Sequence, residues 1–271
     1  MKILSGALAL LVAALAALTA SAAPTSPTSI AALGDSITRA FDTCAVPYTD
    51  CAANSWSTGT NPAVNSWYAR QLALNPAVRG HNYNDAKTGA KMADLAGQAT
   101  TAVAQQVDEV TILMGANDVC TSSVSSMTSP STLGSQLQTA LSTIASGDPH
   151  AQVYVASIPN VYHLWEIFHT SFGANLVWGV AGICQSLLAN PRSTAAADQA
   201  RRSQVRQRTI DDNSVIAQVC GQFAPQCHYD NGAAYNVVFT TADVTTRDYF
   251  HPTVSGQAKA AAATWTAFFG P

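Results

Sequence analysis

Charge is what this chain has least of. It carries 13 basic and 16 acidic side chains in 271 residues, or 11% charged, against roughly 25% in an average globular domain. So small and so balanced a charge gives nucleic acid no electrostatic footprint to bind. Cys-x-x-Cys pairs and clustered Cys/His patterns are missing as well, which argues against a metal centre. Beyond the first residues, no apolar run reaches the roughly 18 positions that a membrane helix needs. Stable membrane insertion is therefore not expected. Internal repeats and compositional breaks are also missing, so one domain is expected over 29–271.

The N-terminus differs from the rest. Lys2 is followed by the small-apolar stretch Ala7–Leu18, then by Ala20-Ser21-Ala22 and Pro24. A basic start, an apolar middle and a small-residue cleavage site make residues 1–22 a secretory signal peptide and the mature protein extracellular. Residues 23–28, rich in Pro, Ser and Thr, read as a short flexible leader. No cysteine lies at the cleavage point, which argues against a lipid-attached form. The six cysteines agree with an oxidising compartment. They allow 15 pairings, and sequence alone selects none. Cys44 with Cys51 and Cys220 with Cys227 each close a short loop at small entropic cost, which leaves Cys120 for Cys184.

Along the chain, strand-like and helix-like segments alternate. Ile30–Leu33, Val110–Met114 and Gln152–Ile158 are apolar runs of the kind buried in parallel sheets. Val64–Leu74, Lys91–Gln106, Leu133–Ile144, Ala195–Val219 and Ser255–Phe269 have helical spacing, while 44–65 reads as a long loop. A helix or loop is expected from Thr38, and 161–189 is apolar and partly helical. This alternation predicts an α/β fold with a central parallel sheet covered on both faces. In such sheets ligands meet the carboxyl ends of the strands. Ser36, Gly89 and Asn117 each follow a candidate strand by a few residues.

Those positions carry chemistry. A serine hydroxyl is a weak nucleophile until a base takes its proton, and Ser36 lies in Gly34-Asp35-Ser36-Ile37. The tripeptide alone is weak, since chance supplies it in roughly one such chain in fifteen and it equally fits a helix cap. Asp248-Tyr249-Phe250-His251 offers the base, His251, with Asp248 able to hold its other ring nitrogen. Asn117, in Gly115-Ala116-Asn117-Asp118, and Gly89 could join the Ser36 N–H as oxyanion donors. Their ordinary alternatives are a turn asparagine and a helix-leading glycine. Here the histidine follows the serine, unlike the chymotrypsin order, and the Gly-x-Ser-x-Gly elbow of α/β-hydrolases is missing.

Together these blocks resemble the SGNH (GDSL-type) hydrolases. Gly34-Asp35-Ser36 matches the nucleophile block and Asn84-Asp85-Ala86-Lys87-Thr88-Gly89-Ala90 the block ending in the oxyanion glycine. Gly115-Ala116-Asn117-Asp118 matches the asparagine block and Asp248-Tyr249-Phe250-His251-Pro252 the Asp-His block. Ile37, Lys87 and Thr88 depart from the commoner residues without removing a catalytic group. The resemblance implies a three-layer α/β/α sandwich of flavodoxin-like type and ester hydrolysis without cofactor or metal. It further implies catalytic Ser36, His251 and Asp248, with an oxyanion hole from Ser36, Gly89 and Asn117. Asn54–Gly59 and Ser157–Asn160 add a fainter likeness to the lipase and phospholipase-B-like branch. The expected substrate is a lipid or simple acyl ester acted on by a monomer. Carbohydrate O-acetyl esters are the alternative, and a non-catalytic carbohydrate- or surface-binding protein is the reading from another class.

Two further clusters are set aside. His163, Glu166 and His169 are spaced for one helix face, but no further metal ligand accompanies them, so they read as a polar edge of an apolar segment. In that segment Trp165, Phe168, Phe172 and Trp178 are expected to pack in the core rather than line an acyl pocket. Arg192, Arg201, Arg202, Arg206 and Arg208 read as a solvated face paired with Asp198, Asp211 or Asp212, rather than as a phospholipid-headgroup site.

Overall fold

The computed structural model describes residues 26–270. The proposed signal peptide lies outside them, as does the start of the leader. Over the part described, the leader is tied down: the Asn75 side chain donates to the Ser26 and Pro27 carbonyls, and Thr28 bonds Asp108.

Five strands form one sheet in the order β2-β1-β3-β4-β5. They are β1 (Ile30–Gly34), β2 (Asn82–Asn84), β3 (Glu109–Leu113), β4 (Gln152–Val155) and β5 (Cys227–Tyr229), and every pairing is parallel. β1 and β3 are buried along their whole length, and β3 buries Glu109 and Thr111 along with its apolar residues. In register, Gly34 stands beside Leu113. The two strands therefore end level and deliver Ser36 and Asn117 to the same edge.

The helices are α1 (Trp67–Leu74), α2 (Leu95–Gln105), α3 (Ala116–Val119), α4 (Pro130–Gly147), α5 (Tyr162–Phe168), α6 (Phe172–Val180), α7 (Gln185–Leu188), α8 (Ala196–Gly221) and α9 (Val254–Phe269). α2, α4 and α8 cover one face of the sheet, and α1 and α9 the other. On the second face Trp67 is the hub. Its ring meets Tyr154 of β4 and Trp265, Phe268 and Phe269 of α9 edge-on, and its indole N–H donates to Thr264 Oγ1.

Of the helix or loop expected from Thr38, the structure has the loop: the chain makes consecutive tight turns, with Arg39 N bonded to Asp35 O and Phe41 N to Ser36 O. Ala40 and Asp42 at positive φ end any helical run there. β2 and β5 are three residues each and rich in polar side chains, which hid them from a search for apolar runs. The arginines do not form one solvated face, although Arg192 and Arg206 are exposed. Arg202 is 2% exposed, stacked over Trp165 and bonded to Ser193 O. Arg201 bonds Asp198 and the carbonyls that end α7, where a cation complements the helix dipole.

Candidate active site

Ser36 lies two residues past β1. The turn that holds it depends on Gly34, at φ +154°. A Cβ there would stand 2.4 Å from the Leu113 carbonyl oxygen. The Gln98 side chain bonds both the N–H and the carbonyl of Gly34, replacing the strand partner that the turn removes. Asp35, fully buried, accepts the Ile37 N–H through Oδ1, and its Oδ2 has no partner among the described residues. Burial foremost pushes this carboxyl up to about 7, against the opposing influence of the backbone bond and of His251.

The partners arrive on the loop before α9. Val244 pairs with Pro252, and Thr245 N donates to His251 O, closing the loop on itself. Asp248 Oδ1 accepts the Phe250 and His251 N–H groups, while Oδ2 lies 2.6 Å from His251 Nδ1. His251 Nε2 lies 2.7 Å from Ser36 Oγ. Burial alone would raise the Asp248 carboxyl, but the bond and charge of His251 and the two backbone donors outweigh it and leave it lowered. Tyr249, between them, adopts φ +54°, which bulky residues avoid. The Trp178 indole of α6 donates to its carbonyl.

The expected oxyanion donors meet at the same edge. Asn117, in α3, donates from Nδ2 to Ala90 O at 2.9 Å, which joins the Gly89 block to the asparagine block and leaves the second amide hydrogen available. Asp118 adds Met92 N and Thr128 Oγ1 as donors; burial raises its carboxyl in spite of them. Among the described residues neither the Ser36 nor the Gly89 backbone N–H has an acceptor.

Sequence reasoning missed the groups that fasten this edge. Arg247 Nη1 bonds the Asp42 carboxylate and carbonyl and the Cys44 carbonyl, locking the histidine loop to the serine turn. An isolated arginine beside Asp248, in a chain so poor in charge, was the available signal. Gln257 of α9 does similar work, bonding Ile37 O and Trp56 N. An apolar cavity of about 40 Å³ was missed as well; its walls include Ile37, Ala116, Leu164, Phe239, Phe250 and Pro252. Ile37, Ala116, Phe250 and Pro252 are sequence neighbours of Ser36, Asn117 and His251, so it lies among the segments that carry those residues, although none of the three lines it.

Outside this edge, His163 bonds Glu166 through Nδ1 and the Phe239 carbonyl through Nε2, and His169 contacts the Trp165 carbonyl. The structure joins Cys44–Cys51, Cys120–Cys184 and Cys220–Cys227. Among the described residues no helix is long and apolar enough to cross a membrane.

A hydroxyl, an imidazole and a carboxylate bonded in series at the carboxyl edge of a doubly covered parallel sheet define a serine-hydrolase type of site. The chain belongs to the GDSL-like lipase/acylhydrolase family, whose model matches residues 32–259, and it is a carboxylic ester hydrolase. Solved structures share the fold. An extracellular lipase from Streptomyces rimosus is 21% identical at TM-score 0.53, covering 88% of this chain and 98% of its own. The lipase Lip_vut3 from a goat rumen metagenome is 15% identical at TM-score 0.56, covering 89% and 98%. A mutant form of an acetyl-xylooligosaccharide esterase from Geobacillus is 16% identical at TM-score 0.52, covering 88% and 93%. No curated protein sequence matches the chain.

Proposed function

We propose that this protein is a secreted serine esterase that cleaves lipid or simple acyl esters through an acyl-enzyme on Ser36. The observation that carries the reading is the unbroken series from Asp248 Oδ2 to His251 to Ser36 Oγ. Ser36 Oγ bonds the ester carbonyl carbon as its proton passes to His251 Nε2. The carbonyl oxygen takes the electron pair and is held by the Ser36 and Gly89 N–H groups and the Asn117 amide. Collapse expels the alcohol, which leaves with the proton from His251. Water then repeats the attack, and the acid departs with Ser36 restored. Asp248 keeps the imidazole oriented and offsets its charge.

The match to the GDSL-like lipase/acylhydrolase family supports a lipid or simple acyl ester as the first choice of substrate. Deacetylation of a polysaccharide is the second reading, because the same series of groups suits an acetyl ester and an acetyl-xylooligosaccharide esterase shares the fold. Hydrolysis of p-nitrophenyl esters from acetate to palmitate, with Ser36→Ala in parallel, tests both. Turnover that needs Ser36 and extends past acetate supports the first reading. Turnover of acetyl-xylan with none on longer chains reverses the order, and wild-type rates in Ser36→Ala end the proposal.

A further inference from the structure

The described surface exposes nine large apolar side chains, and they are not scattered. Phe172, Leu176 and Val180 are 78%, 55% and 82% exposed. They recur every four residues along α6, which makes one continuous outward stripe. The opposite side of α6 is its anchor. Ala174 and Trp178 are fully buried, and Trp178 Nε1 donates to the Tyr249 carbonyl between Asp248 and His251. The helix cannot roll its stripe inward without breaking that bond. Its end is also fixed, by the disulfide of Cys184 and by Gln185 bonding the Trp178 carbonyl.

Two more exposed apolar residues, Val46 and Tyr48, are 62% and 61% exposed. They lie in the disulfide loop 44–51, which the Tyr48 hydroxyl and the Arg247 guanidinium tie to the same histidine loop. Val238, 71% exposed, neighbours Phe239 of the apolar cavity. Six of the nine thus belong to segments fastened to the His251 loop or the cavity.

Charge follows the same division. From Thr170 to Pro191 there is no Asp, Glu, Lys, Arg or His. At the edge of this neutral stretch stands Arg192, held by its Nη2 bond to the Thr170 carbonyl. An uncharged apolar stripe with a cation at its rim complements acyl chains below a layer of anionic headgroups.

We propose that the outer face of α6 docks this enzyme on a lipid–water interface, with Phe172, Leu176 and Val180 entering the acyl boundary and Arg192 meeting headgroup phosphate. The opposite side of α6 carries the Trp178 bond to the loop of His251, so docking there holds that loop about one helix diameter, roughly 10 Å, from the lipid. This names the substrate of the esterase reading as an ester presented in an aggregated surface, and it rests on that reading.

The binding step is tested apart from the chemistry. Ser36→Ala protein is sedimented with vesicles of phosphatidylcholine, with and without a minor fraction of phosphatidylglycerol. Binding is expected, stronger with phosphatidylglycerol. Phe172→Ser/Leu176→Ser/Val180→Ser in the same background is expected to weaken it at least about 10-fold. Arg192→Gln should remove the phosphatidylglycerol preference. With Ser36 intact, the triple variant should hydrolyse soluble p-nitrophenyl acetate at the parent rate and emulsified long-chain ester more slowly. Equal vesicle binding by parent and triple variant overturns the proposal. So does a concentration-dependent dimer that the triple variant abolishes, because the stripe then belongs to a second copy. Loss of soluble-ester turnover in wild type would instead strike the esterase reading.

Discussion

Asp35 and Asp248 are both buried carboxyls beside Ser36, and their surroundings push them in opposite directions. Asp35 has one backbone donor and is raised; Asp248 has two backbone donors and an imidazole and is lowered. Of the two, Asp248 is the one whose carboxylate bonds the imidazole of His251, which suits it to the orienting role in the proposed reaction. Replacing Asp248 with Asn should leave the loop folded and lower kcat by about 10⁴-fold, since the amide favours the wrong imidazole tautomer. A variant within tenfold of wild type would remove Asp248 from the mechanism. Asn117→Ala should lower kcat by about 100- to 1,000-fold with KM little changed, and a loss confined to KM would assign Asn117 to binding alone. Asn117 was readable in the sequence because its short block follows a strand end, and Asp248 because it stands three residues before a histidine. The cavity was not, because Ile37, Ala116, Leu164 and Phe239 converge from four separate segments and look in sequence like any core residues.

Among elements, the apolar strands β1, β3 and β4 and the long helices were legible from hydrophobic pattern, although the expected strand to Ile158 stops at Val155. Short polar strands and single turns were not, since tertiary hydrogen bonds rather than local preference hold them. The aromatic residues of 161–189 divide in a way that pattern cannot foresee: Phe168 and Trp178 are core, while Phe172 of the same run faces solvent. The cross-links differ in the length they span. Cys120 and Cys184 are 64 residues apart, against 7 in each of the other two pairs. Loop entropy predicts a loss of about 4 kcal/mol for Cys120→Ala/Cys184→Ala, and about 2 kcal/mol for either short-loop pair. Denaturant unfolding of the three double variants checks this, and equal losses would refute it. At the end of α6, Trp178→Phe keeps the packing and removes the donor to Tyr249. A loss of about 1 kcal/mol in stability is expected, with kcat falling and KM held.

For the whole molecule, three buried carboxyls dominate the response to pH. Burial foremost pushes Asp35 and Asp212 up to about 7 and Glu109 up to about 8. Asp212 has no partner for either oxygen among the described residues, and Glu109 has only Gln71. In the unfolded chain these groups lose their protons near pH 4, whereas in the fold they keep them to neutrality. The unfolded state therefore binds fewer protons between about pH 4 and pH 8, and stability falls as pH rises through that window. The lowered Asp243 and Asp248 act oppositely, giving stability above about pH 4 that is lost on acidification. The melting temperature should be highest near about pH 5 and lower at about pH 8, as the raised carboxyls give up their protons inside the fold. Asp212→Asn should flatten the decline, and a melting temperature still rising at about pH 8 would contradict it.

The Ser36–His251 bond joins positions 215 apart in the chain, so no local stretch of sequence can hold the pair. Ser36 turns off β1 while His251 rides on the loop before α9, and only the packed sheet and helices between them keep the two within bonding distance. Loss of the fold therefore separates them, and no short peptide cut from either region retains the arrangement.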